Sequence, residues 1–186
     1  SRGLGDVYKR QDLIAVTIGP GSFTGVRIGL ATARGLSLAS GLPLIGVTTL
    51  EVLAAAPPAD EDQGGMILAV LDARRDQLYG QFFDLNGDPA SDPFAAAAAT
   101  IPDRLNKLCQ TTAPLLLVGS GAELAARALE EAGRPFCYSK SPPFPSAATI
   151  AAVVAERGFD RTANTQVAPF YLREPGVTVR TPSADS

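Results

Sequence analysis

Three stretches of this chain carry residue types that could do chemistry, and all three read as turns. "GPGSFTG", Gly19 to Gly25, places a glycine-rich turn ahead of a helical pattern, where free backbone N–H groups and the helix dipole attract an anion. It has no GK[ST] ending and no G-x-G-x-x-G spacing, and Pro20 removes one N–H from any cradle. A tight turn that lets the helix pack on its strand accounts for it as well as a nucleotide does. "GSGAELA" follows an apolar run, which makes Gly119 and Gly121 candidate cofactor-binding glycines. The sixth position there is Leu124 rather than Gly or Ala, and no acid ends the following "PFCYS" run to hold a ribose, so the dinucleotide pattern is incomplete. "LDARRDQLY" clusters Asp72, Arg74, Arg75, Asp76 and Tyr79, which fits acid/base chemistry or solvated turn charges. Carboxylates flanked by arginines tend to pair with them and make poor general bases at neutral pH.

Composition closes several other routes. There is no histidine among the 186 residues, which excludes Ser-His-Asp and Cys-His nucleophilic sites and removes the commonest ligand of catalytic zinc or iron. Cys109 and Cys137 have no metal-like spacing and read as separate thiols of a reducing compartment. The net charge of -3 and the absence of a basic run leave no strong nucleic-acid footprint, so any polynucleotide would be held mainly by a partner. With 46% hydrophobic residues but no run of membrane-spanning length, the chain is expected to be a cytoplasmic globular protein with no membrane contact.

Alternating strand and helix patterns must position these turns, which predicts an α/β fold. "DLIAVTIG" reads as a buried strand, followed by a helix that Ser22 or Thr24 caps and Gly41 ends, with Pro43 blocking continuation. "PLIGV" is then the next, parallel strand, and "TTLEVLAAA" a helix capped by Thr48 or Thr49 with Glu51 in its first turn. Breakers and acids in "PPADEDQGG" mark a boundary. Beyond it come two strands around a turn at Ala73 to Asp76, and then a loop leading to a helix with Thr100 as cap and Pro102 in its first turn. "PLLLVGSGAELAARALEEAG" repeats strand, glycine turn and helix, with Gly133 as the stop, and "SAATIAAVVAERG" is a further short helix. "VAPFYLREPG" reads as an extended edge or surface crossing because of its prolines.

Within the first helix, Gly25, Gly29, Ala33 and Ser37 recur every four residues and form a narrow ridge flanked by Val26, Leu30 and Ala31. Glycine costs about 1 kcal/mol against alanine in a helix, so the ridge needs a close-packed neighbour, either a partner helix or the chain's own sheet.

The stretches "GPGSFTGVRIGLATARGLSLASGLPLIGVTTLEVLA", "LDARRDQLYGQFFD" and "PFYLREP" resemble, in type and order, the TsaB (YeaZ) family of tRNA threonylcarbamoyladenosine biosynthesis subunits. The resemblance implies an actin-like ATPase (ribonuclease H-like) fold of two similar lobes. It implies a non-catalytic scaffold or activator that binds the TsaD catalytic paralogue, with a TsaE-type ATPase and self-pairing into a dimer as further partners and tRNA reached only through the complex. No catalytic residue, metal or cofactor is assigned. Asp72 matches the start of a superfamily phosphate turn, but Ala73, Arg74 and Arg75 put side chains where backbone would approach a phosphate, as in a degenerate ATP site. The partner interface implied by the resemblance comprises Gly25, Val26, Gly29, Leu30, Ala33 and Ser37.

At its front the sequence departs from the family. Residues 1–11, "SRGLGDVYKRQ", are expected to be a non-native or disordered tail, 12–60 an incomplete first lobe with an unpaired sheet edge, 61–176 the second lobe and 177–186 a flexible tail. Two other functions compete with the scaffold: an ATP-binding enzyme of the actin-like and sugar-kinase superfamily, and a dinucleotide-binding module at Gly119.

Overall fold

The computed structural model describes residues 11–57, 64–109, 112–158 and 167–172. The expected tails lie outside the described residues, apart from Gln11.

The first lobe begins with β1 (Ile14–Thr17) and α1 (Phe23–Ser40). Ser22 caps α1 by accepting from the Gly25 N–H at 3.4 Å, and Gly41, at φ 71°, closes it with its N–H on the Ser37 carbonyl at 2.9 Å. The chain then returns as β2 (Leu44–Val47), parallel to β1 with Ile14 opposite Leu44. Among the described residues this sheet has two strands, so β1 has no second ladder partner.

Thr48 starts α2 (Thr49–Ala54) through a reciprocal capping box. Its hydroxyl accepts from the Glu51 N–H at 3.2 Å, and Glu51 Oε2 accepts from the Thr48 N–H at 2.8 Å. Burial pushes the Glu51 carboxyl up, but the Thr48 hydrogen bonds and Arg157, whose Nη2 lies 3.0 Å from Oε1, outweigh it and hold the pKa below the ordinary 4.5.

The second sheet runs β5-β4-β3-β6-β7. β3 (Met66–Asp72) and β4 (Gln77–Phe83) form the expected hairpin, while β6 (Leu115–Val118) and β7 (Phe136–Tyr138) extend the sheet in parallel. β5 (Phe94–Ala97) pairs antiparallel with β4, where the sequence suggests a loop. Alanine has little strand preference of its own. Here Phe94 lies opposite Gly80 and its ring occupies the space a Gly80 side chain would need. A 3-10 turn (Ala98–Thr100) leads into α3 (Ile101–Leu108), with Pro102 in the first turn as expected. Thr100 is not the side-chain cap: its hydroxyl donates to the Ala97 carbonyl at 2.8 Å. α4 (Ala122–Glu131) ends before Gly133, at φ 63°, and α5 (Ala147–Arg157) is capped by Ser146.

Strand alternation divides the second sheet's side chains between two clusters. Leu68, Val70, Leu78, Phe82, Leu115 and Leu117 pack with Ile101 and Leu105 of α3 and with Ala125 and Leu129 of α4. On the opposite face Ile67, Ala69, Leu71, Phe83, Leu116 and Val118 meet Leu50 and Leu53 of α2. Val52 points the other way, into a cluster with Val47 of β2 and Val153 and Val154 of α5. Thus α5 follows the second sheet in sequence but packs on the first, and packing crosses the expected division at residue 60.

Leu53 is fully buried between the sheets, so Leu53→Ala is expected to cost about 2–5 kcal/mol in denaturant unfolding, against at most about 0.5 kcal/mol for Leu38→Ala on the exposed side of α1. Because the folded Glu51 pKa is depressed, its contribution is fully present above 4.5 and is lost as pH falls through the lower folded value. Glu51→Gln should therefore lower stability at neutral pH and flatten the acid limb of a Tm-against-pH curve.

Candidate functional site

The two lobes face each other across a cleft of about 570 Å³. The Gly-Pro-Gly turn and the start of α1 form one wall, with Ser22, Gly25 and Gly29; Asp72, Arg74 and Ser120 lie on the other. Local bonds set this geometry. The Gly19 carbonyl accepts from the Thr49 N–H at 2.8 Å, which ties the turn to the start of α2.

Three polar side chains of the cleft hold backbone N–H groups. Ser22 caps α1, and Ser120 Oγ accepts from the Asp72 N–H at 3.3 Å. Asp72 Oδ1 accepts from the Arg74 N–H at 2.7 Å, so the carboxylate supports its own turn. In that turn Arg74, Arg75 and Asp76 take φ values of 65°, 55° and 55°, successive left-handed residues that each cost about 1–2 kcal/mol. The Ala73 N–H on the Gln77 carbonyl, the Gln77 N–H on the Arg74 carbonyl and the Ala98 N–H on the Asp76 carbonyl hold them there. Arg74 supplies a cation to the cleft, and among the described residues neither Ser22 nor Ser120 donates to a carboxylate there. Nor do the described residues contain a His/Cys/Asp/Glu cluster that could hold a metal ion.

Gly119 and Gly121 have a reason internal to the fold. A Cβ on Gly119, at φ 109°, would overlap the Val70 carbonyl, and one on Gly121 would lie 2.5 Å from Leu78 Cδ2 and 3.0 Å from the Leu71 carbonyl carbon. The Gly121 N–H also donates to the Val70 carbonyl at 3.2 Å. These glycines let the turn after β6 sit against β3.

The six residues of the expected partner interface separate. Leu30 and Ala33 are buried by the chain's own sheet, and Val26, Gly29 and Ser37 are half-buried. The Ser37 hydroxyl donates to the Leu42 carbonyl at 2.6 Å. Gly25 and Gly29 open onto the cleft, where a Cβ would meet Ser22 at 3.5 Å and Val16 at 3.9 Å respectively, so their small size preserves cleft space. The ridge is divided between sheet and cleft. The exposed face that the sequence reading missed lies on the other side of α1, where Ile28 and Leu38 are 62% and 88% exposed and a Cβ on Gly35 would meet open space. The signal was present as Ile28, Gly35 and Leu38 at helical spacing.

Two α/β lobes joined by a shared buried helix and separated by a cleft define the class of actin-like ATPase folds. The chain belongs to the family described as TsaD, tRNA N6-adenosine threonylcarbamoyltransferase, whose model matches residues 7–177. It is 32% identical over 123 residues to the tRNA threonylcarbamoyladenosine biosynthesis protein TsaB of Bacillus subtilis, covering 65% of this chain and 52% of the relative. To the Escherichia coli protein of the same name it is 50% identical over 62 residues, covering 33% of this chain and 26% of the relative. The chain thus spans about half the length, or less, of these curated relatives. The structure of YeaZ from Pseudomonas aeruginosa superposes with a TM-score of 0.62 at 24% identity over 89% of this chain and 75% of that one, a likeness of fold.

Since Gly119 serves packing, Gly119→Ala is expected to destabilise the protein by about 1–3 kcal/mol in denaturant unfolding. Adding nicotinamide dinucleotides should leave the melting temperature of both parent and variant unchanged; a dinucleotide-dependent rise in the parent alone would return the turn to cofactor binding.

Proposed function

We propose that this chain is a non-catalytic subunit in tRNA threonylcarbamoyladenosine biosynthesis, which activates a TsaD-type catalytic paralogue by docking it on the outer face of α1. The observation that carries the reading is the burial of α1: of its 18 residues only Leu30 and Ala33 are buried, while Ile28, Leu36 and Leu38 stand in solvent. A helix draws most of its stability from a covered apolar face, and exposed apolar patches mark interaction sites. The engagement of Asp72, Ser22 and Ser120 in structural hydrogen bonds supports a subunit without its own chemistry. With a net charge of -3, the chain reaches tRNA through its partner, in the cytoplasm. No described helix is long and apolar enough to cross a membrane.

A second reading, an ATP-using enzyme, draws on the cleft and on Arg74 within it. Calorimetry with ATP and magnesium separates the two, since binding tighter than about 10 μM, roughly 7 kcal/mol, favours the enzyme.

Light scattering coupled to sizing, with a TsaD-type protein, tests the scaffold directly. A species at the summed mass is expected. Replacing both Ile28 and Leu38 by Asp should weaken the complex by at least about tenfold while leaving the fold intact. Gly29→Leu, whose side chain enters the cleft, should leave affinity within about twofold. No complex between two folded proteins would overturn the assignment.

A further inference from the structure

Residues 167–172 cross the molecule with no helix or strand of their own, yet they are tied to it at successive points. Val167, 8% exposed, fills the notch left by Gly46, where a Cβ would come within 2.8 Å of its Cγ1. Its carbonyl accepts from Arg34 Nη2 at 2.6 Å. The Phe170 N–H donates to the Ile18 carbonyl at 2.8 Å, and the Phe170 carbonyl lies 2.6 Å from where a Gly19 Cβ would stand. Tyr171 stacks on Phe23 with ring centroids 5.5 Å apart, and its hydroxyl accepts from Arg27 Nε at 3.0 Å. The Arg27 guanidinium lies 3.8 Å from the Phe23 ring centre. Leu172 then packs against the cluster that α2 forms with the second sheet.

We propose that residues 167–172 are a strap that sets the aperture of the cleft, with Tyr171, Phe23 and Arg27 as its latch. Val167 and Phe170 anchor it on the first lobe, Arg34 and Arg27 on α1, and Leu172 on the side of α2 that faces the second sheet. Widening the cleft moves the Gly-Pro-Gly turn and α1 away from Asp72 and Ser120, and a strap hydrogen-bonded to the first lobe and packed through Leu172 against the second sheet's cluster resists that movement. The anchors differ in accessibility. Val167 is buried, whereas Phe23 and Tyr171 are 42% and 40% exposed, so the latch is the part that a molecule covering the flank of α1 can reach. Occupancy of that flank is thereby coupled to cleft width.

The strap is tested on the full chain without any partner, so the result is independent of the scaffold assignment. Hydrogen exchange is followed in peptides carrying Thr49, whose amide holds the Gly-Pro-Gly turn, and Asp72, whose amide bonds on the facing wall, and in a β6 peptide, Leu115–Val118, as the core reference. Tyr171→Ala and Arg27→Ala are each expected to speed exchange of the cleft peptides about tenfold while β6 is unchanged. Tyr171→Phe, which keeps the ring and loses the hydrogen bond, should give a smaller acceleration, and the double variant should add little to either single one. Unchanged cleft exchange in both alanine variants would overturn the strap. So would equal acceleration in β6, because that pattern reports general loss of stability rather than release of a latch.

Discussion

The structure depends on the burial of five residues of one short helix between two sheets. All of α2 except Glu51 is buried, with Leu50 and Leu53 against the second sheet and Val52 against β2 and α5. A helix this short has no stability of its own in water, because nucleation costs more than one or two turns return. It persists because its capping box satisfies its first N–H groups and both sides of it are packed. Each sheet in turn needs α2 to cover an apolar face. The same helix fixes the cleft, since its Thr49 amide holds the Gly-Pro-Gly turn through the Gly19 carbonyl.

Around that wedge the small residues and the charges divide the work of shaping the cleft. Gly25 and Gly29 leave room on one wall. On the other, Gly119 and Gly121 let backbone lie against backbone, which brings Ser120 to the Asp72 amide. The left-handed turn from Arg74 to Asp76 is held by hydrogen bonds at both ends. The Ser22 and Ser120 hydroxyls and the Asp72 carboxylate each hold a backbone N–H at this cleft. The exposed apolar face of α1 is the part of the molecule with the least internal explanation.

Much of the local structure was legible because it is locally caused. Ser22, Gly41, Thr48 with Glu51, and Gly133 each act within a few residues, and each stands where its side chain or its positive φ requires. The β3–β4 hairpin and the parallel β1–β2 pair were equally clear from apolar runs bounded by turn residues. β5 was not legible, because four residues of Phe and Ala carry no strand pattern until the free edge of β4 and the space over Gly80 receive them.

The candidate site shows the same division. From sequence alone came the α/β class, the absence of histidine chemistry, the incomplete nucleotide motifs and the set of α1 residues that share a ridge. Helical periodicity says which side chains stand together but not which way they face, because direction is set by what lies beyond the helix. Only the tertiary structure turned Leu30 and Ala33 onto the sheet, opened Gly25 and Gly29 onto the cleft and left Ile28 and Leu38 outward. It alone brought residues 167–172 back across Gly19, Gly46 and α1, a contact between distant parts of the chain that no local pattern encodes.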